Sequence, residues 1–254
     1  MSVRGACAVL LLLLLSSPGM GHGFFPETDE LAQEVEEQLS RMRTWQAVLS
    51  VAEETGLRIH CWRREASWRQ EWVRHTNGTG SVMRAALGHG ERLLASYPPA
   101  FTFPLPPLRL AGNGDPLALW RSLGVESGTK SYQFFSHRPC IVLGARFGNL
   151  DRPQVWIDLE EHVPLRLVSA SGLQWIWKDY YRAGNVALPH SLAIVLPGGE
   201  RLSMEIVWKG VNTDIPQALF NVPAFEDKFG RAPSTQLPSR RLRLLWERLP
   251  KATR

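Results

Sequence analysis

The second half of the chain alternates short apolar segments with turn sequences at a regular spacing. Within each segment, apolar residues recur at every second position, which places alternate side chains on opposite faces of a β-strand. Turn sequences, such as PGGE at 197–200, separate the segments. Short strands with turns about every 8–12 residues are typical of an antiparallel barrel or sandwich. The predicted strands lie near residues 131–136, 140–147, 154–159, 164–170, 173–181, 190–196 and 201–208.

The first half begins with a helix-like pattern over residues 29–43 and then changes to the strand period. The helix has one apolar stripe and an acidic opposite face, so we expect it to lie across a sheet. Its apolar positions are Leu31, Val35, Leu39 and Met42. The period changes to two at Trp45, and strands are predicted near 45–51, 57–61, 66–72, 81–87 and 91–97.

A proline-rich stretch at 98–107 separates the two halves and could be read as a domain linker. The segments after it repeat the strand style of those before it, so we interpret it as a long connection within one sheet. Asp115 and Pro116 start a short helix, because proline suits the first helical position. The sequence thus predicts one mainly β (α+β) domain over residues 22–223.

Residues 1–21 have the features of a secretory signal. Arg4 gives a positive start, residues 8–15 form a short apolar run, and Gly19 and Gly21 offer small residues at a cleavage site. The run is shorter than the roughly 20 residues that a spanning helix needs. We therefore expect export with cleavage near Gly21, the alternative being a retained anchor.

Basic residues are concentrated in the last 24 positions. The whole chain has a formal net charge of +5, and residues 231–254 contain seven Arg or Lys against Glu247 alone. The excess charge therefore belongs to the tail, which argues against a nucleic-acid-binding surface on the body.

The tail also has the pattern of a basic amphipathic helix after a linker that begins at residue 224. Such a helix can contact an anionic membrane surface or an acidic partner, or it can pack on its own body or stay without fixed structure. The residues expected to make a membrane or partner contact are Arg240, Arg241, Arg243 and Trp246.

Cys61 and Cys140 are the two cysteines that remain once Cys7 is removed with the signal. In an oxidising compartment they could form a disulfide between the front half of the sheet and its middle. Two separate buried thiols are the equally open alternative.

No local motif for catalysis, a cofactor or a metal is present. The seven histidines lack the spacing that places two ligands on one helical face, and there is no Cys-x-x-Cys or Gly-x-Ser-x-Gly. Asp158, Glu160 and Glu161 cluster at a turn, where solvated charges are the simpler interpretation. We therefore expect a protein that is not an enzyme and has no cofactor or metal.

Ten tryptophans are many for a chain of this length. Several alternate along predicted strands, where they either fill a solid core or line a cavity for a ligand. The tryptophans in question are Trp68, Trp72, Trp156, Trp175, Trp177 and Trp208.

Three stretches resemble the LolA/LolB-like group of periplasmic lipoprotein carriers and the related RseB-type sensors. RREASW at 63–68 resembles the group's K-R-P-x-x-F, with Glu65 in place of its proline. GERLLASY at 90–97 is similar to D-G-x-x-L-W-x-Y, and residues 154–164 resemble its l-x-l-D-x-x-x-x-x-P hairpin. The resemblance covers roughly residues 28–223.

The resemblance implies an incomplete antiparallel β-barrel whose concave face is covered by a helical lid, with Arg64 bonded to that lid. It also implies a periplasmic carrier of the acyl chains of lipoproteins or lipids, acting in outer-membrane lipoprotein sorting. The expected cavity and lid residues are Leu31, Val35, Leu39, Trp45, Leu49, Ile59, Arg64, Trp68, Trp72, Trp156, Trp175 and Trp177.

Two other functions fit the same residues. The first is an envelope sensor that binds lipid or lipoprotein and reports to an inner- or outer-membrane protein through the basic tail, without transport. The second is a hydrolase that uses the same cavity, for which the sequence offers no nucleophile motif.

Overall fold

Over residues 25–98 and 115–229, the fold is a single twelve-stranded antiparallel sheet with three α-helices, seen in a computed structural model. The structure describes residues 25–98 and 115–229, together with Leu242, Arg243 and Glu247. The helices are α1 (Thr28–Ser40), α2 (Pro116–Ser122) and α3 (Val222–Phe229), with a 3-10 turn at Gln217–Phe220. The strands are β1 (Thr44–Val51), β2 (Leu57–Arg64), β3 (Ser67–Thr76), β4 (Thr79–His89), β5 (Arg92–Tyr97), β6 (Lys130–Phe135), β7 (Arg138–Leu143), β8 (Gln154–Asp158), β9 (Pro164–Val168), β10 (Gln174–Ala183), β11 (Val186–Val195) and β12 (Arg201–Val211).

Two meanders make up the sheet, and the pairing of β1 with β12 joins them. The strand order is β5-β4-β3-β2-β1-β12-β11-β10-β9-β8-β7-β6. All neighbouring pairs except β1 with β12 are therefore consecutive in sequence. β5 and β6 end the order and are not paired with each other, which leaves the barrel incomplete. The predicted fold class is confirmed.

The sheet has an inner and an outer face, which we define by where alternate side chains go. The inner face contributes to one large core cluster that draws on both meanders and on α1 and α2. A flat sheet could not bring these side chains together, so the sheet curves around them. The outer face has two smaller clusters, one over β4 and β5 and one over β7, β8 and β9.

Most predicted elements lie within a few residues of the observed ones. Asp115 caps α2 as expected, because its carboxylate accepts from the backbone N–H of Leu117 at 2.8 Å. Helix α1 ends at Ser40, whereas the pattern predicted residue 43. The chain turns there because the side chain of Asn212 accepts from the N–H of Arg43 and donates to the carbonyl of Arg41.

Helix α3 occupies residues that the sequence analysis assigned partly to a linker. Its Phe225 and Phe229 are buried against Tyr97 and its neighbours on the outer face of β4 and β5. Asn221 begins the helix by accepting from the N–H of Ala224 at 2.9 Å. Packing against the sheet therefore continues through residue 229.

A buried ion-pair network fixes α3 and the 3-10 turn to β3. The guanidinium of Arg69 bonds to Glu71, whose carboxylate also accepts from Nζ of Lys228 at 3.1 Å. Arg69 donates in addition to the carbonyl of Leu219 at 2.8 Å, and its guanidinium lies 5.4 Å from the ring of Phe225. Because removing either Arg69 or Glu71 would leave a buried charge without its partner, the network fixes the position of the helix.

The disulfide considered between Cys61 and Cys140 is not formed, and both cysteines are free. Cys61 lies on the inner face of β2, whereas Cys140 lies in the outer cluster of β7. Their side chains point to opposite sides of the sheet, so the alternative of two separate buried thiols is the one that holds.

Replacing Phe225 with Ala should lower the free energy of unfolding by about 3–5 kcal/mol, because a fully buried ring leaves a cavity between α3 and the sheet. Urea denaturation followed by tryptophan fluorescence measures this. Phe147→Ala is the matched control. Its ring is 80% exposed, so the change should stay below about 0.5 kcal/mol. Equal losses in the two variants would contradict the assigned role of α3.

Candidate ligand-binding interior

The inner face brings together most of the residues expected to bind a ligand. Strand alternation in β1, β2, β3 and β10 turns their apolar positions into one continuous surface, and α1 adds its stripe from above. Leu39 packs against this surface while remaining partly exposed. The expected residues buried in the inner core are Leu31, Val35, Trp45, Leu49, Ile59, Trp68, Trp72, Trp175 and Trp177.

Trp156 does not line this surface. It lies in the outer cluster with Cys140, and its Nε1 donates to Oε1 of Gln154 at 2.9 Å. Val155 and Ile157 take the inner positions of β8, so the alternation excludes Trp156. The sequence showed that Trp156 alternates with its neighbours but not which of the two sets faces inward.

Arg64 is also placed differently from the expectation. Its Nη1 donates to the carbonyl oxygen of Ile215 at 2.8 Å, in the loop that follows β12. It therefore holds this loop against the end of β2, and does not bond to the helix that covers the interior.

Helix α1 covers the inner face as an amphipathic lid. Leu31, Ala32 and Val35 are buried against the inner core, and the helix contacts α2 and β11. Its acidic side chains lie on the opposite, exposed face, as predicted. The apolar seat is narrow, because the helix buries only these three residues along 13 positions.

Polar contacts at the start and middle of the lid are few and near the surface. Oγ1 of Thr28 donates to the carbonyl of Ser127 at 3.0 Å. Midway along α1, Oε2 of Glu34 lies 3.2 Å from Nε2 of His162 in the β8–β9 connection. Contacts of this kind contribute only about 1 kcal/mol each to stability.

The C-terminal end of the lid is held by what we call the latch, formed by Arg41, Arg43, Asn185 and Asn212. Asn212 donates through Nδ2 to the carbonyl of Arg41 at 2.7 Å and accepts through Oδ1 from the N–H of Arg43 at 2.9 Å. Nη1 of Arg41 donates to the carbonyl of Asn185 at 3.1 Å. Asn212 has φ +54°, a left-handed conformation that Asn tolerates better than most residues.

A depression of about 430 Å³ lies beside the latch. Asn185 and Asn212 of the latch line it, together with the inner-face residues Val186, Leu188 and Trp208. In this depression, next to the end of the lid, inner-face side chains meet the solvent.

Cys61 lies on the inner face of β2 with 1% of its surface exposed. Burial raises the pKa of its thiol to about 12, since the interior disfavours the thiolate. Cys140, on the outer face, also has a pKa raised by burial, to about 11. Chemical labelling of Cys61 therefore probes the inner face of the sheet, and labelling of Cys140 probes the outer face.

The basic tail reaches the body at one described residue. Leu242 is fully buried in the inner core cluster, and Arg243 beside it is exposed. Arg240, Arg241 and Trp246 lie outside the described residues, so the membrane or partner contact expected of them remains a prediction.

The described part of the chain contains no cluster of three His, Cys, Asp or Glu side chains arranged to hold a metal ion. Within the same residues, no helix combines the length and apolar character needed to cross a bilayer.

No protein-family profile matches the chain, and no curated protein matches it. Among solved structures, it is similar to a LolA superfamily protein from Nitrosomonas europaea, with 11% identity over 78% of this chain and 99% of that chain, at a TM-score of 0.46. It is also similar to a putative outer membrane lipoprotein-sorting protein domain from Vibrio parahaemolyticus, with 14% identity over 78% and 97% of the two chains and a TM-score of 0.43.

A DUF1329 family protein from Desulfovibrio piger shows 11% identity over 78% of this chain and 97% of that chain, at a TM-score of 0.44. None of these likenesses assigns a ligand or an activity to this chain.

Asn212→Ala should loosen the lid, because it removes two latch hydrogen bonds and places a less tolerant residue at a positive φ. We expect Cys61 to react with a thiol reagent about 5- to 30-fold faster, as a loss of 1–2 kcal/mol implies. Peptide mass spectrometry assigns the label, with Cys140 as the internal reference. Asn149→Ala, in an exposed loop, is the control variant. Equal acceleration at both cysteines would mean global unfolding and would contradict the latch.

Proposed function

We propose that this protein is a periplasmic carrier that shelters acyl chains of lipoproteins or other lipids beneath α1 and serves outer-membrane lipoprotein sorting. The observation that carries the proposal is a continuous apolar inner face covered by an amphipathic helix that few polar contacts hold in place. The motif resemblance at 63–68, 90–97 and 154–164 supports the same function.

The energetics of exchange favour an acyl guest over the lid. Each buried methylene contributes about 0.8 kcal/mol, so a chain of roughly 15 methylenes gains on the order of 12 kcal/mol by leaving water. Full burial of Leu31 and Val35 gives the lid only about 1.5–3 kcal/mol for each side chain. A guest can therefore displace the lid stripe from its seat, and the stripe can cover the seat again after release.

The protein would act in the cell envelope and contact a membrane there. Export through residues 1–21 would place the protein in the cell envelope, where acylated proteins must cross an aqueous space. The basic tail would add a peripheral contact to an anionic membrane or to a membrane protein. The protein would bind without chemistry of its own, so incubation with ester lipids should leave them intact.

Fluorescent acyl probes of increasing length should bind with rising affinity, roughly fourfold for each added methylene until the interior is full. The same probes should slow the labelling of Cys61 and leave that of Cys140 unchanged, because the two thiols lie on opposite faces. Affinity that does not depend on chain length, or protection of Cys140 alone, would contradict binding in the interior.

Leu49→Gln should weaken probe binding by about tenfold or more, because it places an amide on the inner face. Val48→Gln is the matched control on the same strand, since Val48 lies on the outer face and is already partly exposed. Circular dichroism verifies folding, and Cys61→Ser is a milder inner-face variant. A similar loss of affinity in Leu49→Gln and Val48→Gln would place the ligand elsewhere.

A further inference from the structure

Trp45 is a buried hydrogen-bond donor on the inner face whose Nε1 has no acceptor among the described residues. Its side chain is only 2% exposed. Other inner-face indoles do have acceptors: Nε1 of Trp68 donates to the carbonyl of Gly90 at 2.8 Å, and Nε1 of Trp208 donates to the carbonyl of Pro189 at 2.9 Å. Buried indole N–H groups usually find a partner, so Trp45 stands out within the same surface.

Trp45 lies close to the depression beside the latch. Its ring meets that of Trp208 edge-on, with centroids 5.7 Å apart and an interplanar angle of 74°. Trp208 lines the depression beside the latch, and so does Val211, which is in register with Trp45. The ring that carries the donor therefore lies one side chain behind this depression.

The surroundings define the acceptor that would suit this donor. Along the inner face, the core neighbours of Trp45 in sequence are Met42 and Ala47, both apolar. Arg63 lies across from Trp45 on β2, and its Nε already donates to the carbonyl of Glu65 at 2.7 Å. An indole N–H is neutral, so it suits a neutral carbonyl oxygen better than a carboxylate, which needs a cation in a buried site. An alkyl chain or an ether oxygen would leave the donor poorly satisfied.

We propose that Nε1 of Trp45 donates a hydrogen bond to the ester carbonyl at the head of a bound acyl chain, so that the carrier selects acyl esters over ether-linked or purely hydrocarbon chains. The tail of the chain would extend along the inner face, and the head would lie toward the latch. This proposal rests on the proposed function and names the ligand chemistry of the same site.

The test compares two probes that differ only in the linkage, namely an ester-linked dihexadecanoyl glycerophospholipid and its ether-linked dihexadecyl counterpart. Binding to the full chain is measured by calorimetry. We expect the ester to bind about tenfold more tightly, the ratio that one such hydrogen bond supports. Trp45→Phe should reduce ester affinity to that of the ether and leave ether affinity unchanged.

Trp62→Phe is the matched control, because Trp62 lies on the outer face of β2 and stacks on His60. It should keep the full ester preference. Equal binding of both lipids by the wild type, or a preference that survives Trp45→Phe, would overturn the role of Trp45 while leaving the carrier function intact. Binding of neither lipid would overturn both proposals.

A spectroscopic measurement keeps the proposal testable if Trp45→Phe does not fold. Infrared spectra of the wild-type complex with ¹³C-labelled ester carbonyls should show one carbonyl band at lower frequency than the same lipid gives in a hydrocarbon solvent. A band at the hydrocarbon frequency would mean that the carbonyl receives no hydrogen bond, and would overturn the assignment.

Discussion

The antiparallel pairing of β1 with β12 is the contact on which the architecture depends. All the remaining strand pairs are between strands that are consecutive in sequence, so without this contact the chain would form two separate meanders. With it, the inner positions of both halves share one core, and Leu49 of β1 lies opposite Ile206 of β12 at the centre. Because strands 44–51 and 201–211 are far apart in sequence, this pairing is also the costliest in chain entropy to form.

Helix α1 is held on the curved inner face by few contacts. Helix α1 contacts the inner face through a narrow apolar seat of three small or medium side chains, with a few hydrogen bonds at its ends. A lid held this weakly can give way to a larger apolar guest, as the proposed carrier function requires. The buried Arg69–Glu71 pair and α3 hold the outer face of β3, β4 and β5 together.

The periodicity of apolar residues along the sequence predicted the strands and the first helix. Period-two alternation located the strands, and the stripe at Leu31 and Val35 located the lid, since both follow from which side chains must leave water. Trp156 was predicted on the inner face but lies on the outer one, because alternation alone does not show which alternate set of side chains on a strand points inward. Helix α3 was too short to show a period, although Asn221 followed by Pro223 is a capping signal that could have revealed it. The partner of Arg64 and the separation of the cysteines depend on tertiary placement, which no local pattern carries.

Native mass spectrometry of the full chain, purified from an envelope fraction and then incubated with diacyl lipid, tests the central claim most directly. The account predicts a complex of one protein with one lipid, whose added mass equals that of a diacyl species and which dissociates when the inner face is made polar. A spectrum that holds only the mass of the bare protein, before and after incubation, would show that the interior admits no hydrocarbon chain and would contradict the carrier account.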